Sequence, residues 1–372
     1  MSNQAPVLYD YFDAPEIGAD QPGEGDLWFL PGPAEEAPAH LPPGPSVAPC
    51  ETAALDDWRR AEADNAALLA RVAGRLGALD ERLRRGPDGW RHRLALIEAA
   101  ELSWLDGNRI GPDRLALWMG LRLSGVQDDT GALARVGWAV RRLTGGPGPE
   151  ADLPAFLDRR DPENPGRPTD PFAEPFTEPF TEPFTEPFTE RAGAWAGVMA
   201  RAGELHPISR ACMGFHLWGL AGLENRGALM EAAVTAARVA ASDSPDPGQG
   251  AVFAPLALGG AAGLRASGPV RERLGRWLDS MAAACLSATR QLDDIEAWAA
   301  RAEAAMAPLS GRTPPALRAL LRDWPLVSAP MAEALTGASR TAVQRNLAWM
   351  EAQGLIREVT GQGRYRLWRA AP

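Results

Sequence analysis

From Val270 to Met306 the chain places apolar or small side chains at Val270, Leu274, Trp277, Met281, Cys285, Ala288, Leu292, Ile295, Ala299, Ala302 and Met306. Every step is three or four residues, which puts all of them on one face of a long helix, spanning about 269–306. Pro269 suits its first turn and Pro308 ends it. Such a seam has two outlets: the chain's own helical bundle, or a second copy in a coiled coil. The same spacing recurs upstream. Leu55, Trp58, Leu69, Val72, Leu76, Leu79 and Leu83 form one run that stops at Gly86-Pro87. Further helices are expected at about Arg91–Trp104, after Gly111-Pro112, and at about Thr130–Leu143. Beyond a Pro/Gly break they resume at about Arg191–Glu204, Ile208–Leu223 and Arg226–Ala241. No stretch of the N-terminal half alternates with period two, so the fold class is mainly α, with a helical bundle as its body.

Breaks in this pattern divide the chain. Residues 1–50 are rich in Pro and Gly, with apolar beads at Leu8–Phe12 and Leu27–Leu30, and read as a disordered segment. Residues 51–144 form an N-terminal helical region and 191–310 a second one, which contains the long helix. Between them, 145–190 read as a low-complexity linker. It ends in a tandem tetrapeptide: Pro171-Phe172-Ala173-Glu174, then four Pro-Phe-Thr-Glu units ending at Glu190. Proline every fourth residue excludes helix and central strand there, and repeat expansion in a surface loop accounts for it better than a partner-binding peptide does.

The cysteines (Cys50, Cys212, Cys285) and histidines (His40, His92, His206, His216) are dispersed, so no zinc site, disulfide framework or other cofactor is expected. No basic-then-apolar leader opens the sequence, and the most apolar stretch, Ala251 to Leu264, is too short to span a bilayer. A cytoplasmic protein without membrane partners is expected. All 38 basic residues are Arg, a bias that a GC-rich coding sequence produces, so Arg over Lys carries no meaning at any one site.

Charge is distributed unevenly. Nine of the arginines lie in residues 312–372 against four acids, which leaves −15 on residues 1–311 of a chain with net charge −10. A basic tail on an acidic body is the asymmetry of a nucleic-acid-binding module attached to a partner domain.

That tail, residues 311–372, also has the order of a winged helix-turn-helix: three helices plus a two-stranded β wing. A first helix, about Pro314–Asp323, carries Leu317, Leu320 and Leu321, and Gly311–Pro315 is its hinge to the body. Ser328 can cap a second helix whose core face is Met331 and Leu335. Thr336-Gly337-Ala338 turns, and Ser339 caps a third helix, about Arg340–Gln353, which buries Val343, Leu347 and Met350. Gly354 stops it. Leu355–Val359 and Tyr365–Trp368 then read as a hairpin around Thr360–Arg364. The opposite side of the third helix presents Arg340, Thr341, Gln344 and Arg345, donors that suit base edges in a major groove. Ser339, Thr341 and the helix N-terminus suit phosphate. Gln362, Arg364 and Arg366 at the wing suit backbone or minor-groove contact. Double-stranded DNA is the expected partner. The charge excess is modest, so a homodimer is expected to supply a second copy; no small-molecule effector can be named.

On these residues the chain resembles a bacterial family of largely uncharacterised proteins, often plasmid-encoded, with a helical domain of unknown function before a C-terminal helix-turn-helix. The match is strongest in PLVSAPMAEALTGASRTAVQRNLAWMEAQGLIREVTGQGRYRLWRA, with LDERLRRGPDGWRHRLALIEAAELSWLDG resembling the family's start. It covers most of residues 55–372 and implies a regulatory, DNA-binding role. The tail is also similar to the winged domain appended to Fic-type AMP-transferases, whose chemistry needs HPFx[DE]GNGR. Here the His-Pro pair, His206-Pro207, runs on as Ile208-Ser209-Arg210-Ala211-Cys212, without the acid, the Gly-Asn nest or the closing Arg. Fic chemistry is rejected.

No GxxxxGK[ST], GxGxxG or HExxH motif occurs, and an enzyme is not expected. His206 and His216 read as capping or packed residues, and Asp293-Asp294-Glu296 as a solvated face. Two other readings stay open. One is a helical adaptor or antitoxin-like partner whose winged helix serves assembly. The other is an enzyme with an unfamiliar site in a cleft around Ser103, Asp106 and Asn108.

Overall fold

A computed structural model describes residues 47–121, 129–159, 187–223, 228–242, 250–361 and 366–372. The body runs through α1 (Val47–Asp64), α2 (Ala66–Arg85), α3 (Gly89–Ser103), α4 (Pro112–Leu121), α5 (Thr130–Thr144) and a single turn, α6 (Leu153–Phe156). It continues with α7 (Phe188–Arg201), α8 (Pro207–Leu217), α9 (Ala228–Ala240), a 3-10 turn at Gly263–Arg265 and α10 (Val270–Met306). The tail is α11 (Thr313–Asp323), β1 (Val327–Ser328), α12 (Ala329–Thr336), α13 (Arg340–Ala352), β2 (Ile356–Glu358) and β3 (Leu367–Ala370). The chain is thus mainly helical, and its strands, among the described residues, form one small antiparallel sheet near the C-terminus, ordered β1-β3-β2.

At 1.5 Å per residue α10 is about 55 Å long, and it is the axis of the body. Leu274, Trp277, Met281, Cys285, Ala288, Leu292, Ile295, Ala302 and Met306 are all buried along it. They face the chain's own helices: α2 runs alongside, and α8, α3 and α11 pack on the same rod. Arg75 of α2 donates to Ala282 O at 3.2 Å, and Arg82 reaches Asp293 at 2.6 Å and Glu296 at 2.7 Å. The seam therefore takes the first of its two outlets. A homodimer through this face, the form of self-association the spacing suggested, is not open to it.

The single run read from Leu55 to Leu83 is two helices. It breaks at Asn65, whose amide donates to Ala61 O at 2.8 Å and to Arg271 O at 3.3 Å, so the side chain satisfies carbonyls at the bend and ties it to α10. The helical regions on either side of the repeat share one core. α5 packs on both α3 and α9, and Pro49–Pro372 forms one compact unit. The residues that flank 160–186 meet each other: the Arg159 guanidinium lies 4.4 Å from the centre of the Phe188 ring. The two residues that flank 160–186 thus lie at one place on the body; the Pro-Phe-Thr-Glu units before Pro187 fall outside the described residues.

One buried charge holds a loop onto this core. Glu98 of α3 is fully buried, and its carboxylate accepts the backbone N–H groups of Leu256 (2.7 Å), Ala257 (2.9 Å) and Leu258 (3.0 Å). Burial pushes its pKa up to about 7, against the opposing pull of the three N–H donors.

The tail is joined to the body by specific contacts. Arg93 of α3 donates to Leu321 O, Arg322 O and Trp324 O, carbonyls at the open end of α11. Gly89 lies so close to the same end that a Cβ there would sit 2.1 Å from Asp323 O. Trp298 of α10 donates its indole N–H to Leu355 O at 2.6 Å. Gly311, with φ of 96°, makes the left-handed turn into α11 that other residues rarely adopt. Among the described residues no helix is long and apolar enough to cross a membrane.

Candidate nucleic-acid interface

Local capping sets the geometry of the tail. Ser328 Oγ accepts Met331 N at 3.2 Å and starts α12. Gly337, in the left-handed region at φ 64°, ends it. Ser339 Oγ accepts Ala342 N at 3.4 Å and starts α13. Val343, Leu347 and Met350 then turn into the core, and Ala332 supplies the buried contact from α12. The sheet closes the other side, pairing Ile356 with Ala370 and Val327 with Trp368. By its residues alone Trp324–Val327 reads as a short extended link between α11 and α12. Val327–Ser328 instead forms the third strand, because the backbone entering α12 lies against β3.

Arg340, Thr341, Gln344, Arg345 and Ala348 are all exposed on the face of α13 opposite this core. The structure thus brings four of the predicted contact residues together on one helical face, with Ser339 at its N-terminal end. The remaining three differ. Gln362 and Arg364 lie outside the described residues. Arg366 is held within the tail: its guanidinium pairs with Glu351 at 3.0 Å and stacks 5.0 Å from the Trp368 ring centre, and the Trp368 indole N–H donates to the same carboxylate. It braces the base of the hairpin.

One buried-face assignment changes. Leu335 is 59% exposed rather than part of the core of α12. α12 is only eight residues long and Ala332 makes its inward contact, so Leu335 falls on the outer side near the start of α13. Asn346, on the inner side of α13, is buried and donates to Ala342 O at 2.7 Å.

The electrostatics are also more local than the count of nine arginines suggests. Arg357 and Arg369, cross-strand neighbours on β2 and β3, both pair with Asp113 of α4, at 3.0 and 2.9 Å. Arg318 pairs with Glu303 and Arg322 with its neighbour Asp323. Much of the basic excess therefore fastens the tail to the acidic body or is neutralised within the tail. Arg340 is 4.0 Å from Glu333 with its side chain largely in solvent, and Arg345 has no carboxylate partner among the described residues. These two cations, with the positive end of the α13 dipole between them and Ser339, make the exposed charge of the face.

Elsewhere the polar residues singled out in the sequence build structure. Ser103 is buried, its hydroxyl facing Ala100 O (2.6 Å) and Asn108 O (2.8 Å) while accepting Ile110 N, which shapes the turn after α3. Burial raises the Asp106 carboxyl, with Arg135 opposing that rise. Ser103, Asp106 and Asn108 together shape this turn. A shallow depression does exist between α2, the start of α8 and the end of α9, bordered mainly by small apolar residues such as Ala73, Gly77 and Ala240. His206 caps α8, accepting Ile208 N at 3.2 Å. His216 packs between Trp58 and Phe215, and burial lowers its pKa to about 4. Among the described residues no three His, Cys, Asp or Glu side chains gather as a metal site.

Neither a known protein family nor a curated protein sequence matches the chain. The functional reading rests on this geometry.

Proposed function

We propose that the chain is a DNA-binding protein, a transcriptional regulator that reads duplex DNA through its tail acting as a winged helix-turn-helix. The observation that carries the reading is the exposed row Arg340, Thr341, Gln344 and Arg345 on α13. An α-helix fits the B-DNA major groove, and Arg and Gln side chains match the acceptor and donor patterns of guanine and adenine there. Ser339 and the first turn of α13 then face phosphate. The hairpin that starts at β2 serves as the wing, its base braced by Glu351 and Arg366. The body sets the pose of this unit through Arg93 and Asp113. Two exposed arginines on the face, one of them 4.0 Å from Glu333, give modest affinity per copy. A second protomer, if engaged, joins through a surface other than the α10 seam.

The adaptor reading is favoured by one feature, the exposed Leu335 beside the start of α13. An apolar residue there suits a protein surface as well as a thymine methyl group. Sequencing the duplex fragments that co-purify with the protein separates the two. A recurrent sequence that is retarded as a discrete complex is expected. Sequence-blind recovery together with a stoichiometric protein partner would favour the adaptor.

A further inference from the structure

The fifth Pro-Phe unit of the tandem repeat has a defined seat. Pro187 is the N-cap of α7 and Phe188 its first residue. The Phe188 ring is half-buried against the core, with the Arg159 guanidinium 4.4 Å from its centre and that of Arg191 at 5.9 Å. Arg191 is itself buried, and Arg159 pairs with Glu231 of α9, so both cations are fixed by the body. A guanidinium over an aromatic face is a favourable electrostatic contact, stronger when withdrawn from water. Four more units precede this one at 171–186, each with Pro, Phe and Glu at the same spacing.

We propose that the Arg159–Arg191 seat is a binding site for the Pro-Phe-Thr-Glu unit as such, and that Phe172, Phe176, Phe180 and Phe184 are its alternative occupants. Three observations support this. The seat's features are met by what every unit shares: a proline whose fixed φ suits the residue before a helix, and a ring directly after it. Both arginines lie outside the repeat, one on each side, so exchanging the unit leaves them in place. Arg159 and Pro187, which flank residues 160–186, both lie at the seat, so the spare units are tethered to it at high effective concentration. Exchange frees Phe188 to Glu190 from the start of α7 and lets residues between the new occupant and Arg191 bulge outward, while Arg191, buried in the body, keeps its place. The seat is then a receptor for an acidic, proline-initiated aromatic peptide, supplied here by the chain itself.

A mutant cycle on the full-length protein tests this. Phe188→Ala is made in the intact chain and in a chain lacking residues 171–186. Thermal midpoints are compared, together with the same pair carrying Phe188→Leu, which keeps apolar volume but loses the ring. The proposal expects each substitution to lower the midpoint by several degrees in the shortened chain and by less than half as much in the intact one. A peptide of three Pro-Phe-Thr-Glu units should restore the midpoint of the shortened variants, and one with Ala in place of Phe should not. Equal losses in both backgrounds, or equal effects of the two peptides, would overturn it.

Discussion

Alanine at position 98 is expected to cost the fold at least ~4 kcal/mol, a large share of the roughly 5–15 kcal/mol that holds a typical domain together. The substitution strips the acceptor from three N–H groups, those of Leu256, Ala257 and Leu258, in a segment that is itself buried. Each orphaned donor costs about 1–3 kcal/mol, and the missing side chain leaves a cavity in a core that relaxes only partly. Glutamine is the milder change. Its amide oxygen can still accept two of the donors, while its NH2 group confronts the third. Urea unfolding at neutral pH should rank wild type above Glu98→Gln and that above Glu98→Ala.

The same residue fixes a pH signature. Its pKa is raised to about 7 in the folded protein, above its ordinary value of 4.5. Between those values the folded state holds a proton that the unfolded chain has released. The resulting stability is fully present below about pH 4.5 and is lost as pH rises through 7, a change of ~3 kcal/mol at 1.36 kcal/mol per unit. His216 acts in the opposite sense. Its pKa is lowered to about 4, so the stability linked to it is present above 6.5 and lost as pH falls through 4. The two slopes offset each other between about 4.5 and 6.5, and Glu98 is therefore read by difference: the wild-type stability minus that of Glu98→Gln should decline as pH rises to 7. A pH-independent difference would show that Glu98 does not titrate in the folded state.

Arg93→Ala should cost ~3 kcal/mol and act mainly on the tail. The Arg93 side chain is half-buried, and desolvation lowers its pKa to about 10 and still leaves it charged at neutral pH. It serves three carbonyls at the end of α11, groups that no helical N–H can reach. Hydrogen bonds from a charged donor contribute about 1.5–3 kcal/mol each, and removing the donor leaves its acceptors unpaired. Lysine should restore only part of this, since all three bonds come from the one terminal nitrogen Nη2 and the shorter lysine side chain does not reach its place. Gly89→Ala probes the same joint without touching charge, because its new Cβ would meet the backbone of Asp323. Both variants should raise amide hydrogen exchange across 313–372 while leaving α8 protected. Uniform loss of protection along the chain would mean that tail and body unfold only together.

What the sequence made visible follows from the range of the forces involved. The caps at Ser328 and Ser339, the turn at Gly337 and the buried stripe of α13 are local, set by residues within four positions of one another, and all are found where the spacing put them. The mainly helical class and the α10 face were legible for the same reason. Glu98 was not, because a carboxylate in a helix ordinarily marks a solvated face, and its three donors come from a loop some 160 residues later. Asn65 was hidden in an apolar run whose spacing continues across the bend. On the candidate face the row Arg340 to Arg345 could be read from helical phase alone. The fate of Arg366, Arg357 and Arg369 could not, since their partners Glu351 and Asp113 are brought to them by the fold. A count of charges by segment cannot distinguish a cation facing DNA from one that fastens a tail to its body.

The most direct test of DNA contact through α13 is a titration of wild type and the double variant Arg340→Ala/Arg345→Ala against one retained duplex at several salt concentrations. Both residues are exposed, so the variant should keep the wild-type fold. The account predicts at least a tenfold loss of affinity, since one bidentate base contact contributes ~1–3 kcal/mol. It also predicts a log–log salt slope shallower by ~1–2 as cationic contacts are lost. Equal affinity and an unchanged slope in a folded variant would contradict the assignment of this face to DNA.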